Sequence, residues 1–234
     1  DEAGTAITTG DNNVAIGYVA GDAITTGSES VALGSNSLSA ATTSTKNTAL
    51  GAYALRNDTL GSSSVAVGHQ ALNAQNFTSA TAAYNVAVGA NAGVAVTTGV
   101  QNTFIGGLAG DATTTANNNT AVGYFSLSAN TTGTANTAVG QNSLLTNTTA
   151  SNNTAIGRFS LRLNTTGANN TAVGYEALDK NTTAANNTAV GMQAMQGNTT
   201  GANNVAIGQA ALAGNTTAAN NTAIGYASLA ANTT

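Results

Sequence analysis

The chain has 234 residues, a net charge of -4, 6% charged residues and no cysteine, which excludes a disulfide framework and thiolate metal sites. Five basic residues, spread singly as Lys46, Arg56, Arg158, Arg162 and Lys180, form no basic stripe, so no nucleic-acid partner is expected. No apolar run approaches the ~20 residues that cross a bilayer as a helix, so this segment is not expected to insert in a membrane.

Residues 1–10 end in Thr8-Thr9-Gly10, which matches Thr199-Thr200-Gly201 and reads as the tail of an earlier coil. A tetrapeptide typified by Thr171-Ala172-Val173-Gly174 then returns thirteen times, with its glycine at 17, 34, 51, 68, 89, 106, 123, 140, 157, 174, 191, 208 and 225. Eleven of the twelve intervals are 17 residues, and one, from Gly68 to Gly89, is 21. A fixed period in this range marks a solenoid whose repeat is one coil stacked on the last. The expectation is an all-β fold: a parallel β-solenoid of thirteen coils forming a single repeat domain over residues 1–234, with four extra residues inserted within 73–84. At ~4.8 Å per rung, thirteen coils make a rod about 60 Å long. The last residues, Asn232-Thr233-Thr234, fall in mid-repeat with no polar cap, so the end is expected either to continue or to dock on another subunit.

Within a coil, counted from the tetrapeptide glycine, the residue before the glycine is always Val, Ile or Leu, and the residue two earlier is Val or Thr. Strand side chains alternate faces, so these two columns point the same way, and they are expected to form the interior. The residue between them is Ala in twelve copies and Phe in one: Ala15, Ala32, Ala49, Ala66, Ala87, Phe104, Ala121, Ala138, Ala155, Ala172, Ala189, Ala206 and Ala223. A column held to Ala is expected to pack against another chain, the alternative being a tight inner bend of the same coil. On that expectation Val173→Asp frays its coil, whereas Ala172→Glu spares the coil and breaks the assembly.

The glycine suits a corner with φ > 0 and a close backbone approach. Three residues on stands Ala or Ser, and four residues on Leu or Met in ten copies, with Gly21, Gly93 and Gly110 in the others. An Asn-Thr-Thr-(Gly/Ala)-x-Asn-Asn segment such as Asn181 to Asn187 closes the coil, and its asparagines are expected to stack as ladders. Proline is absent, as a stack in which every strand donates its N–H requires. Asn-x-Thr sequons recur, but they carry weight only in a glycosylating secretory pathway.

Asn204-Val205-Ala206-Ile207-Gly208 with Ala211, and Ser64-Val65-Ala66-Val67-Gly68 with Ala71, resemble the head repeats of trimeric autotransporter adhesins, the YadA-like heads. The longer form, Asn170 to Leu178 followed by Asn181-Thr182-Thr183, also looks like the repeat shafts of phage-type tail fibres. The resemblance implies a left-handed β-roll in which three chains pack about one axis, an extracellular, cell-surface or virion-surface location, and attachment to a host receptor or surface glycan. Copies of the chain are thus the expected partner, as a homotrimer with end-to-end stacking a further option. The repeat is about three residues longer than the usual adhesin head repeat, a departure that carries no target across.

No catalytic, metal or cofactor site is expected, and no enzyme activity. His69 sits at a variable position without partners, and Asp22, Asp111 and Asp179 share a phase but lie in distant coils. The long coil is the candidate recognition loop, with Phe77 and Tyr84 as anchors. Tyr18, Tyr124, Tyr175 and Tyr226 share one phase, with Phe125 and Phe159 beside it, and read as a sugar-binding strip or the rim of an inter-chain contact. An ice-binding solenoid is the rival reading. It needs outward threonine columns, whereas adjacent Thr182 and Thr183 point to opposite sides.

Overall fold

The structure is a computed structural model that describes residues 2–233. Every element is a short strand, and no helix occurs among the described residues. Two compact units divide the chain, Asp1–Asn118 and Asn119–Thr234. Coils of a solenoid touch only their neighbours, so a division can fall where neither period nor composition changes.

In the first unit the strands are β1 (Val14–Ile16), β2 (Val31–Leu33), β3 (Thr48–Leu50), β4 (Gly61–Ser62), β5 (Val65–Val67), β6 (Thr81–Ala82), β7 (Val86–Val88) and β8 (Thr103–Ile105). The three-residue strands pair parallel and in register from coil to coil, with Ala32 opposite Ala49 and Ala49 opposite Ala66. β4 and β6 form a separate parallel pair where the long coil passes its neighbour. The second unit repeats the pattern in β9 (Thr120–Val122), β10 (Thr137–Val139), β11 (Thr154–Ile156), β12 (Thr171–Val173), β13 (Thr188–Val190), β14 (Val205–Ile207) and β15 (Thr222–Ile224). Each residue there stands opposite its counterpart 17 positions on, as Ala155 does opposite Ala172. Each unit is therefore a parallel β-solenoid.

The direction of the strand faces is the reverse of the expectation. Ala32, Ala49, Ala66, Ala87, Phe104, Ala121, Ala138, Ala155, Ala172, Ala189 and Ala206 are fully buried within their own coils, Ala223 is 3% exposed, and Ala15 is half-buried. An interior column cannot meet another chain. The Val, Ile and Leu side chains before each glycine point outward instead. Opposite the alanines stands the residue four after the glycine: Leu38, Leu55, Leu161, Leu178 and Met195 are all fully buried. With only 17 residues in a turn, the interior is too narrow for two large columns, and Ala is what fits beneath Leu.

The exception follows the same rule. Phe104 is fully buried in the alanine column, and a Cβ built on Gly110 would lie 2.5 Å from its ring, while one on Gly93 would lie 2.8 Å away. The ring fills the space that two missing leucines leave. At Gly21 the compensation comes from Ile24, whose Cδ1 lies 3.0 Å from the corresponding point.

Backbone conformation explains the choice of Leu over Ile or Val. Leu161 has φ 47° and Leu178 φ 51°, a left-handed region that is most costly for β-branched residues. The corner glycines have φ between 118° and 137°, and a Cβ on Gly174 would come 2.5 Å from the carbonyl oxygen of Gly191. The conformational and the steric readings of that glycine both hold.

Two consequences are measurable. Ala172→Glu places a charge inside the coil and should destabilise the chain by on the order of 3–5 kcal/mol, whereas Val173→Asp, half-exposed, should change stability by about 1 kcal/mol; thermal unfolding followed by circular dichroism separates them. Phe104→Ala should cost about 3–5 kcal/mol, and adding Gly93→Leu with Gly110→Leu should recover most of it in denaturant titrations, because the coils then match their neighbours.

Candidate functional site

One column of buried asparagine holds successive coils together in both units, with Ser30 and Ser64 in two places, and a second does so in the second unit alone. In the column that precedes the strands, Asn170 N donates to Asn153 Oδ1 at 2.9 Å and Asn187 N to Asn170 Oδ1 at 2.9 Å, while Asn170 Nδ2 donates to the Ala184 carbonyl at 2.8 Å. In the column seven after the glycine, Asn164 Nδ2 donates to Asn147 Oδ1 at 2.9 Å and to the Gly167 carbonyl at 2.9 Å, and Asn164 Oδ1 accepts from Asn181 Nδ2 at 2.8 Å. Each amide is used as both donor and acceptor, as burial demands. The stacked asparagines expected from the sequence are these ladders. A threonine column runs beside the second, with Thr165 Oγ1 donating to the Thr182 carbonyl at 3.0 Å.

In the first unit this second column holds no asparagine but Ile24, Ala41, Asp58, Gln75, Val96 and Thr113, of which Asp58 and Gln75 are a fully buried polar pair. Gln75 Nε2 donates to Asp58 Oδ2 at 2.6 Å, Gly61 N donates to Asp58 Oδ1 at 2.9 Å, and Asn85 Nδ2 donates to Gln75 Oε1 at 2.9 Å. Burial pushes the Asp58 carboxyl above its ordinary value of 3.8, against the lowering effect of the bonds from Gln75, Gly61 and Phe77. The long coil closes over this place. Phe77 is 5% exposed and lies against Gly61, where a Cβ would come 2.7 Å from its ring. Phe77 is therefore part of the core and cannot anchor a partner. Tyr84 remains exposed.

Outside, the strands carry no charged residue in either unit. Their outward columns are a half-exposed Thr or Val and an aliphatic residue such as Leu50, Ile105, Ile156 or Ile207, the last two each 40% exposed. Sequence periodicity placed these two columns together but turned the wrong way. The signal that could have oriented them was the coincidence of Phe104 with Gly93 and Gly110, since a large residue that appears where others vanish must share their space.

Past the corner glycine lies a different surface. His69 is exposed and its ring stands edge-on to Tyr53, 6.0 Å between centroids. Tyr124 packs on Phe125 at 4.3 Å, and Phe159 lies 6.3 Å from Tyr175; Tyr18 and Tyr226 stand exposed at the two extremes of the phase. Arg162 holds Asp179 through two bonds, Nε–Oδ1 at 2.8 Å and Nη2–Oδ2 at 3.0 Å. Burial raises the Asp179 carboxyl in spite of that pairing. Glu176 is held low by Gln193, whose Nε2 donates at 3.0 Å, and by Tyr175, with Gln196 Nε2 donating to the same oxygen at 2.6 Å. Asp22, Asp111 and Asp179 stay in separate coils. Among the described residues no cavity opens, and no three His, Asp or Glu side chains gather.

Comparison with protein-family models, curated proteins and solved structures finds no match. The reading of function therefore rests on the surfaces themselves.

The buried Asp58–Gln75 pair gives a pH test. The folded pKa of Asp58 is raised, so its contribution is fully present below 3.8 and is lost as pH rises through the raised value. Unfolding midpoints of the wild-type chain compared with Asp58→Asn should show the difference: the wild type loses stability relative to the variant as pH rises from 3.8 through the raised value.

Proposed function

We propose that the chain is a structural shaft of an extracellular, cell-surface or virion-surface attachment fibre, built by association of several copies along their strand faces. One observation carries this: each unit presents a parallel sheet whose outward columns are aliphatic or Thr and never charged. An apolar strip that recurs at every rung favours a cover. A second copy matches it best, because only a partner with the same rise per coil stays in register along the whole strip. The resemblance to trimeric autotransporter head repeats and tail-fibre shafts supports three chains and a role in attachment, and the reading assigns no catalysis.

Light scattering of the purified chain, with crosslinking, should give three chains per particle. Ile156→Asp with Ile207→Asp should yield folded monomers, since both side chains are 40% exposed in the single chain. A wild-type chain that stays monomeric at all concentrations overturns the shaft.

A second reading, ice binding, is favoured by one feature. Thr120, Thr137, Thr154, Thr171 and Thr188 form a regular half-exposed column in the second unit, the array that the Asn-Thr-Thr segment was not expected to supply. Thermal hysteresis in a freezing-point assay would support it, and its absence removes it.

A further inference from the structure

All three arginines of the chain lie over an aromatic ring. Arg56 Cζ is 5.2 Å from the Tyr53 centroid, and Arg158 and Arg162 lie 4.1 Å and 4.9 Å from that of Phe159. The placement is the same in the two units for an aromatic residue two after the glycine (Tyr53, Phe159), an arginine five after it (Arg56, Arg162) and a second ring directly after the next glycine (His69, Tyr175), while Arg158, directly after its glycine, is an addition of the second unit that has no counterpart at Ala52. Folding does not require this set, because another coil carries Gln193, Gln196 and Gln209 at those positions. It even has a conformational cost. Tyr53 and Phe159 both have φ 61°, a left-handed conformation that Asn, as at Asn142 with φ 58°, adopts more readily than a bulky side chain.

The first set carries only Arg56 and His69 as titratable groups beside Tyr53, whereas in the second Arg158 shares its surface with Glu176, whose Oε2 already accepts from Gln193 and Gln196. Arg162 is engaged by Asp179, but Arg56 and Arg158 are exposed and neither has an ion-pair partner among the described residues. A guanidinium lying on a ring keeps its edge N–H groups free to fork onto a carboxylate. An exposed ring such as Tyr175 or His69 offers a face to the C–H side of a sugar. Among the described residues no cavity encloses either set, so a small ligand would gain little burial, whereas a polymer presents to each set a carboxylate and a sugar face together. Single arginines with no basic stripe disfavour a nucleic acid, whose affinity comes from many phosphate contacts made together, more than a polymer read by one carboxylate and a ring face.

We propose that the sets Tyr53–Arg56–His69 and Phe159–Arg158–Tyr175 are two sites for an acidic polysaccharide, in which Arg56 or Arg158 pairs with a uronate carboxylate and the neighbouring rings take the sugar's C–H face. This gives the attachment reading its ligand and rests on its surface-attachment part, not on self-association. The sets lie beyond the corner glycines rather than in the strands, so self-association and ligand binding can fail separately.

The test uses the full chain on immobilised polygalacturonate, with dextran and single-stranded DNA as control surfaces, and chain number measured on the same sample. The wild-type chain should bind polygalacturonate and neither control. Arg56→Gln with Arg158→Gln should weaken binding by about tenfold or more with an unchanged melting temperature; each single variant should fall between, since the other unit's site remains. Arg56→Lys with Arg158→Lys should recover only part of the loss, because lysine keeps the charge but not the planar fork. No binding by the wild-type chain, undiminished binding by the double Gln variant, or equal binding to dextran or DNA overturns the proposal. A monomeric chain that still binds polygalacturonate leaves this inference standing and removes the shaft.

Discussion

The buried asparagine ladders are the constraint on which the rest of the structure depends. A coil of 17 residues encloses little more than a row of Ala and a row of Leu or Met, too thin a core to order the chain by apolar burial alone. Asn links the rungs because its side chain both gives and accepts, so Asn164 can bond Asn147 on one side and Asn181 on the other without leaving a polar atom stranded. Few other side chains of that length can do so. The low complexity of the sequence is thus a consequence of what the interior will accept, and in the first unit, where that column has no asparagine, the buried carboxylate Asp58 is kept with an amide, Gln75, beside it.

Much of this was legible in the residues. The period, the register of pairing, the ladder before each strand and the corner glycines follow from spacing and from the conformations that Gly and Asn tolerate. The inward face did not follow, because alternation fixes which side chains share a face but not which face is inside. Hydrophobicity suggested Val and Ile for the core, and size was the better guide: Ala172 is buried and Val173 only partly, because a side chain larger than Ala would collide with Leu across the coil. Phe77 was misplaced for a related reason. An aromatic in an insertion looks like a ligand anchor until Gly61, in the preceding coil, is seen to leave room for its ring.

Turning the strand faces outward divides the exterior into two kinds of surface. One is uncharged, aliphatic and repeated at every rung, which suits a partner of the same pitch. The other, past the corner glycine, varies from coil to coil and gathers the arginines and most of the rings. A solenoid can keep the first constant while altering the second freely, since residues one, two and five after the glycine are not used by the interior columns.

The second asparagine ladder also bears on how such a chain can be produced. Asn130, Asn147, Asn164, Asn181 and Asn198 each begin an Asn-Thr-Thr sequon, and each is fully buried with its Nδ2 committed to neighbouring oxygens. Oligosaccharyl transfer would couple a sugar to that very nitrogen, removing a donor and requiring an exit path that the coil lacks. In a eukaryotic secretory pathway, glycan addition and folding would compete for the same atoms, and each sugar added before closure would leave a coil unable to stack.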